Sequence, residues 1–261
     1  MMAHSKLLKA YVYVIFALIA APLLVVIGVS LNPTERFIIT PLTPSLHWYY
    51  AFFQRPEYVN ALFGVTLPVA CCSAALATLI GTLAAIAMVR FRMRGRAAIE
   101  SAFMIPILVP GILLGAALYL FFSELHMAGT YTLLVIGHTL IGIPFVIRVV
   151  SAGLVGINPA LEEAAINLGC TRVKAFYKVA LPLIRSSLVS GLIFAFILSF
   201  SDINIAIFLT GPHTNTLPLQ IFSDIQWQGD PTIAAASTIQ IVVVTSLIVL
   251  AHRLKRKRLV F

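Results

Sequence analysis

The chain has 261 residues, 60% of them apolar and 10% charged, with a formal net charge of +9 and a mean hydropathy of +1.00. A soluble domain carries about 25% charged residues, so this composition excludes a water-soluble fold and calls for a lipid-embedded one. The surplus Lys and Arg sit at the ends of apolar runs, a placement that sets membrane orientation and argues against nucleic-acid binding.

A crossing helix needs about 20 apolar residues, and backbone groups in lipid must be satisfied within the helix itself. The pattern therefore predicts an all-α integral membrane protein with six spans, at residues 10–30, 60–89, 99–122, 131–150, 188–209 and 233–251. The first span follows Lys6 and Lys9 and could imitate a signal peptide. Its apolar core exceeds the usual stretch of roughly 7–15 residues and no cleavage site follows, so it is expected to be retained. Residues 31–59 carry Leu46, Trp48, Tyr49, Tyr50, Phe52 and Phe53, which predict a short interfacial helix with Ser45 as N-cap. An aromatic membrane anchor explains that helix without any substrate contact.

The second span is over-long and is expected to tilt or to begin as an interfacial turn. Within it Cys71 and Cys72 are adjacent, and Cys170 lies far along the chain. No C-x-x-C spacing exists, so neither a metal site nor a disulfide framework is supported and all three read as small packing residues. In the third span Gly111 and Gly115 form a G-x-x-x-G that permits close helix approach. Pro106, Pro110 and, in the fourth span, Pro144 are candidate kinks. His138 has no second His or acid at helical spacing and reads as a packed, hydrogen-bonded side chain rather than a proton carrier or metal ligand.

Sixteen of the lysines and arginines fall on one side of this scheme: Lys6, Lys9, Arg90, Arg92, Arg94, Arg96, Arg148, Arg172, Lys174, Lys178, Arg185, Arg253, Lys255, Arg256, Lys257 and Arg258. Arg36 and Arg55 fall on the other. The asymmetry predicts that both termini are cytoplasmic.

The cytoplasmic connection between spans four and five, at about residues 151–186, is long enough to require a function. Asn158 and Pro159 predict a helix start, residues 161–168 a short helix, and Gly169 a left-handed stop. Thr171 can cap a second helix with Arg172, Lys174 and Lys178, expected to end where Leu181-Pro182 turns the chain back toward the membrane. Ala164 and Ala165 keep the first helix slim enough to lie in a groove of another protein. Glu162 and Glu163 offer it anionic contacts near a helix start.

Asp202 is the one acid well inside an apolar run, 17 residues beyond Arg185, or about 25 Å along a helix. A charge facing lipid at mid-membrane costs about 2.5–3.5 kcal/mol, so Asp202 is expected to face a cavity or a partner helix. With Ser199, Ser201 and Asn204 it could line a path for a cationic or hydrogen-bonding solute; capping a break in span five, or bonding a second subunit, explains it equally. Asp230-Pro231 predicts the cap and first turn of the sixth helix. Glu124 and Asp224 read as solvated charges in outer loops, with docking of a second protein the alternative.

The stretch from Glu163 to Pro182 reads E-A-A, three residues, G, nine residues, an aliphatic, one residue, L-P. This pattern resembles the cytoplasmic "EAA loop" of the permease subunits of ATP-binding-cassette (ABC) importers. Ser199-Phe200-Ser201-Asp202, Thr210-Gly211-Pro212 and Leu217-Pro218-Leu219 resemble the spermidine/putrescine-type, PotC-like branch, which commonly carries S-F-D-D where this chain has Ser201. Pro106 and Val109-Pro110-Gly111 look like the same branch. The resemblance covers essentially the whole chain, read as one transmembrane domain, residues 1–261.

It implies a type I importer permease with the MetI-like fold in a bacterial inner membrane, carrying a polyamine such as spermidine or putrescine. It also implies that Glu162, Glu163, Ala164, Ala165, Gly169, Leu181 and Pro182 couple to an ATPase. The implied partners are two ABC ATPase subunits that bind ATP and Mg, a second permease subunit and a periplasmic solute-binding protein. No catalytic residue or cofactor is implied on this chain, and it has no G-x-x-x-x-G-K-[ST] loop. The alternatives are a permease for an aminoalkylphosphonate, another organic cation or an inorganic ion, or an ion-coupled secondary transporter, for which only Asp202 and His138 offer pathway ionisable groups. A membrane-embedded enzyme lacks any clustered nucleophile or acid–base pair.

Overall fold

The computed structural model describes residues 2–34, 43–91, 93–227 and 229–256, and among them all regular structure is helical. The orientation charges Arg36, Arg92, Lys257 and Arg258 lie outside the described residues. Among the described residues five helical stretches are long and apolar enough to cross a membrane: Leu8–Ser30, Pro56–Arg90, Tyr131–Val155, Arg172–Phe200 and Thr232–Arg253. A further apolar pair, Arg96–Leu108 and Gly111–Ser123, is bent by 102°, either a broken span or a re-entrant loop. The chain packs as two units, Met1–Asn60 with Gln220–Thr245, and Ala61–Leu219 with Ser246–Phe261.

In the first unit, α1 (Met2–Ser30) leaves most of its apolar side chains uncovered, Phe16, Ile19 and Leu24 among them, a surface that only lipid or another protein can satisfy. The short aromatic helix α2 (His47–Gln54) forms where expected, but Leu46 and not Ser45 takes the N-cap position; Ser45, one residue earlier, accepts the His47 amide on its Oγ at 3.1 Å. The helix is more than an anchor. Trp48 and Phe52 are buried, and the Trp48 indole N–H donates to the Asn32 carbonyl at 2.7 Å. Tyr50 and Phe53 remain exposed.

Next comes α3 (Pro56–Val59), followed by a π-helical turn, Asn60–Thr66. At the other end of the sequence stand α12 (Leu217–Trp227) and α13 (Thr232–Arg256), the latter started by Asp230, whose Oδ1 accepts the Thr232 amide at 2.8 Å. Asp224 corrects an expectation. It is a buried carboxylate, receiving the Tyr58 hydroxyl at 2.5 Å and the Gln220 amide at 3.1 Å, while Glu124 is exposed as expected. Asp230 also takes an ion pair from Arg55. Partial burial pushes the Asp230 carboxyl up, but the bonds from Thr232 and Arg55 outweigh it and hold the group below its ordinary value.

The second unit is organised around α4 (Leu67–Arg90), α7 (Tyr131–Val155) and α10 (Leu181–Phe200). Ala74, Ala77, Ala85 and Met88 of α4 meet Ile143, Val146, Ile147 and Val150 of α7, with Ile184 and Ala195 of α10. Small residues make this approach possible: a β-carbon at Gly81 would lie 2.7 Å from Val146 Cβ. Cys71 and Cys72 lie on the exposed face of α4, not in this packing.

Two expected spans take different forms. The third is broken: α5 (Arg96–Leu108) stops before Pro110, and α6 (Gly111–Ser123) restarts after it. Pro106 and Pro144 stay inside their helices, so the bend belongs to Pro110 alone among these prolines. The fifth does not begin at 188. A helical rod runs from Arg172 to Phe200 through α9 (Arg172–Ala175), a π turn Phe176–Ala180 and α10, and it does not turn at Leu181-Pro182. Proline lacks an amide and crowds the carbonyl four residues earlier. Both π turns end just before such a proline, Pro68 and Pro182, where a widened turn relieves that clash.

Candidate functional site

The polar connection after α7 folds as a capped elbow. Asn158 Oδ1 accepts the Ala160 amide at 3.0 Å and opens α8 (Ala160–Asn167). At its end Gly169 adopts φ +91°, with its amide on the Ile166 carbonyl at 2.9 Å and the Cys170 amide on the Ala165 carbonyl at 3.1 Å. This pair of bonds is the Schellman stop, which needs a left-handed residue and so favours glycine. The Thr171 hydroxyl then accepts the Lys174 amide at 3.3 Å and starts the rod that becomes α10.

The outward surface of the elbow is mixed. Leu161, Glu163, Ala164, Ile166 and Leu168 are exposed, Leu168 at 87%, and so is Pro182 further along. Ala165 and Leu181 are partly covered. Glu162 behaves differently from its neighbour: it is half-buried and ion-paired to Arg90 at the end of α4. Sequence reasoning missed that pairing, because nothing local links residues 72 positions apart.

The far end of the same rod carries the second polar feature. Helix α10 ends at Phe200, residues 201–205 break, and α11 (Ala206–Leu209) follows. Asp202 Oδ2 accepts the amides of Ile205 at 2.9 Å and Ala206 at 3.2 Å, so it supplies acceptors to backbone donors that the break exposes. Ser201 and Asn204 are exposed in the same break and Asp202 is half-buried. Ser199 is buried one turn below, its hydroxyl 2.7 Å from His138 Nδ1, which makes His138 the packed histidine that its surroundings suggested.

The two broken helices meet here. A β-carbon at Gly111 would lie 2.9 Å from Asn204 Cβ, and one at Gly115 would lie 3.1 Å from Ile205 Cα. The G-x-x-x-G thus seats α6 against the break rather than against an unbroken helix. The structure brings Ser201, Asp202 and Asn204 together and assembles residues 160–182 as a separate feature, with the rod Arg172–Phe200 joining them. At 1.5 Å per residue that rod is about 43 Å long.

Apolar helices long enough to cross a membrane, a structured polar elbow and two helix breaks that meet are features that suit a membrane transport subunit. Residues 77–259 match the family described as binding-protein-dependent transport system inner membrane component, and the chain belongs to that family. It is 29% identical over 256 residues to the spermidine/putrescine transport system permease protein PotC of Haemophilus influenzae, covering 98% of this chain and 99% of that one. It is 32% identical over 232 residues to the putrescine transport system permease protein PotI of Escherichia coli, covering 86% and 82%.

Among solved structures it resembles a chain of a bacterial ABC transporter involved in the import of the acidic polysaccharide alginate, with TM-score 0.75 and 18% identity over 98% of this chain and 97% of that one. A chain of the MetNI methionine ABC transporter, in an inward-facing conformation, gives 0.63 and 19% over 78% and 98%. At such identities the likeness fixes the fold alone, that of a type I ABC importer permease; the family match and the apolar helices make the chain a multi-pass protein of the bacterial inner membrane.

Proposed function

We propose that this chain is the permease subunit of an ATP-driven importer that passes a polyamine such as spermidine or putrescine. A periplasmic binding protein delivers the solute, and a second permease subunit completes the pathway. Two ATPase subunits bind ATP and Mg and dock on residues 160–182 from the cytoplasm. The observation that carries this reading is the elbow itself: the E-A-A, G, L-P pattern folds as a helix, a left-handed glycine stop and a second helix, with Glu163, Ala164 and Leu168 facing outward.

The coupling is mechanical. Movement of the ATPases displaces α8, the Schellman stop keeps α8 and the rod at a fixed angle, and the rod carries the displacement to the break at 201–205. Asp202, Ser201 and Asn204 line the solute path there, with Ser199 holding the rod to α7 through His138. Polyamine transport by the relatives supports a cationic solute, as does the carboxylate of Asp202. Ser201 stands where the branch commonly has an acid, which leaves one carboxylate in this break for a multivalent cation.

The test is uptake by the reconstituted complex, with its binding protein and ATP, of labelled spermidine, putrescine, an aminoalkylphosphonate and an inorganic cation. Saturable polyamine uptake, lowered at least several-fold in Asp202→Ala with the subunits still assembled, is the expected result. Uptake of another of these solutes alone rejects the polyamine assignment. Normal uptake by Asp202→Ala removes that residue from the path.

A further inference from the structure

We propose that Arg90 and Glu162 form a positioning pair that couples the elbow to the second span, giving ATP-driven motion a second route into the membrane alongside the rod that ends at Asp202. This rests on the reading of the elbow as the ATPase dock.

Adjacent residues on a helix point about 100° apart, so Glu162 and Glu163 cannot serve the same surface. Glu163 is exposed. The Glu162 side chain retains 14% exposure and the Arg90 side chain 27%, and the two are ion-paired. Each charge stands where its own helix favours it: Glu162 in the first turn of α8, Arg90 in the last turn of α4. The pair therefore joins the electropositive start of one helix to the electronegative end of another.

The anchor at the far side of the pair is rigid. Helix α4 packs along α7 through Ala77, Gly81 and Ala85, where the backbones lie close enough that Gly81 has no room for a β-carbon. A displacement of α8 pulls on this packed pair directly, without passing through Gly169. Arginine suits the task because its planar guanidinium fixes the direction of the carboxylate it holds.

The experiment uses the intact complex in proteoliposomes and reads two rates separately, solute uptake and ATP hydrolysis, together with the amount of ATPase retained on purification. Arg90→Ala and Arg90→Gln, on α4 and outside the dock, should retain the ATPase and hydrolyse ATP, while solute moved per ATP falls about fivefold or more, the lower range of typical inter-site coupling. The charge swap Arg90→Glu with Glu162→Arg should recover only part of that ratio, since each reversed charge then opposes its own helix dipole, and Arg90→Lys should also recover part of it.

An unchanged ratio in the single variants overturns the proposal, and so does a swap that recovers nothing while Arg90→Lys remains as poor as Arg90→Ala. Loss of the ATPase from the single variants assigns the pair to assembly and also overturns it. Absence of the ATPase from the wild-type complex is a different failure, because it rejects the docking reading itself.

Discussion

Replacing Gly169 by alanine puts a β-carbon on a residue whose φ is +91°. Beyond its two chain neighbours nothing lies within 4 Å of the position that β-carbon would take, so within this chain the substitution adds backbone strain and no collision with another part of the fold. A left-handed conformation costs an L-residue about 1–2 kcal/mol. In the undocked chain that strain relaxes by opening the angle between α8 and the rod. Docking must restore the angle, so affinity for the ATPase falls by up to the corresponding factor of about 5–30.

Titration of the purified ATPase against the permease complex in nanodiscs measures that factor. Asparagine tolerates the left-handed region better than alanine although it is larger. The expected order of affinity is therefore Gly, then Asn, then Ala, with Val last. Equal loss in Asn and Ala variants would show that a partner surface excludes any side chain at 169, which refutes the strain argument. Undiminished affinity in the Ala variant would show that the elbow does not need a fixed angle.

Gly81→Leu should lower the thermal midpoint of the complex, since overpacking costs about 1–3 kcal/mol and the displaced group is the rigid Cβ of Val146; pairing it with Val146→Gly should recover part of the loss. Tyr58→Phe leaves the buried Asp224 carboxylate with one donor fewer and should cost about 1–3 kcal/mol by chemical unfolding, whereas an unchanged midpoint would mean that water replaces the hydroxyl. For Asp230 the folded carboxyl titrates below its unfolded value, so its contribution is complete above the ordinary carboxylate range, near pH 4, and is lost as pH falls through the folded value. Asp230→Asn should therefore destabilise at pH 7 and lose its difference from wild type at strongly acidic pH; a difference that grows on acidification would contradict the assigned sign.

The parts of the fold set by local chemistry were legible in the sequence. Apolar length located five spanning helices and the bent pair approximately, Asn158 and Thr171 announced two helix starts, and Gly169 announced a left-handed stop. Hydropathy could not show the break at Pro110, because an apolar residue scores alike in a straight helix and a bent one. Pro106, four residues earlier, stays helical, so proline alone does not mark the place. The rod's continuity was hidden for another reason: Thr171 marked its start, but Leu181-Pro182 reads as a turn, whereas a π turn at Phe176–Ala180 lets the helix run on into the fifth span. Pairs distant in sequence left no trace at all, as Tyr58 with Asp224 and Arg90 with Glu162 show. Of the polar residues near the fifth-span break, Ser199 is the one whose burial against His138 could not be read from its neighbours.

The most direct measurement is a cross-link from the elbow. With Cys71, Cys72 and Cys170 replaced, a single cysteine introduced by Leu168→Cys stands on the most exposed point of α8's end. A short bifunctional reagent should join it to the copurified ATPase, with a yield that changes when ATP is added. Labelling of that cysteine by a membrane-impermeant maleimide on intact cells, with no cross-link to any ATPase, would place the elbow on the wrong side of the membrane and contradict the account.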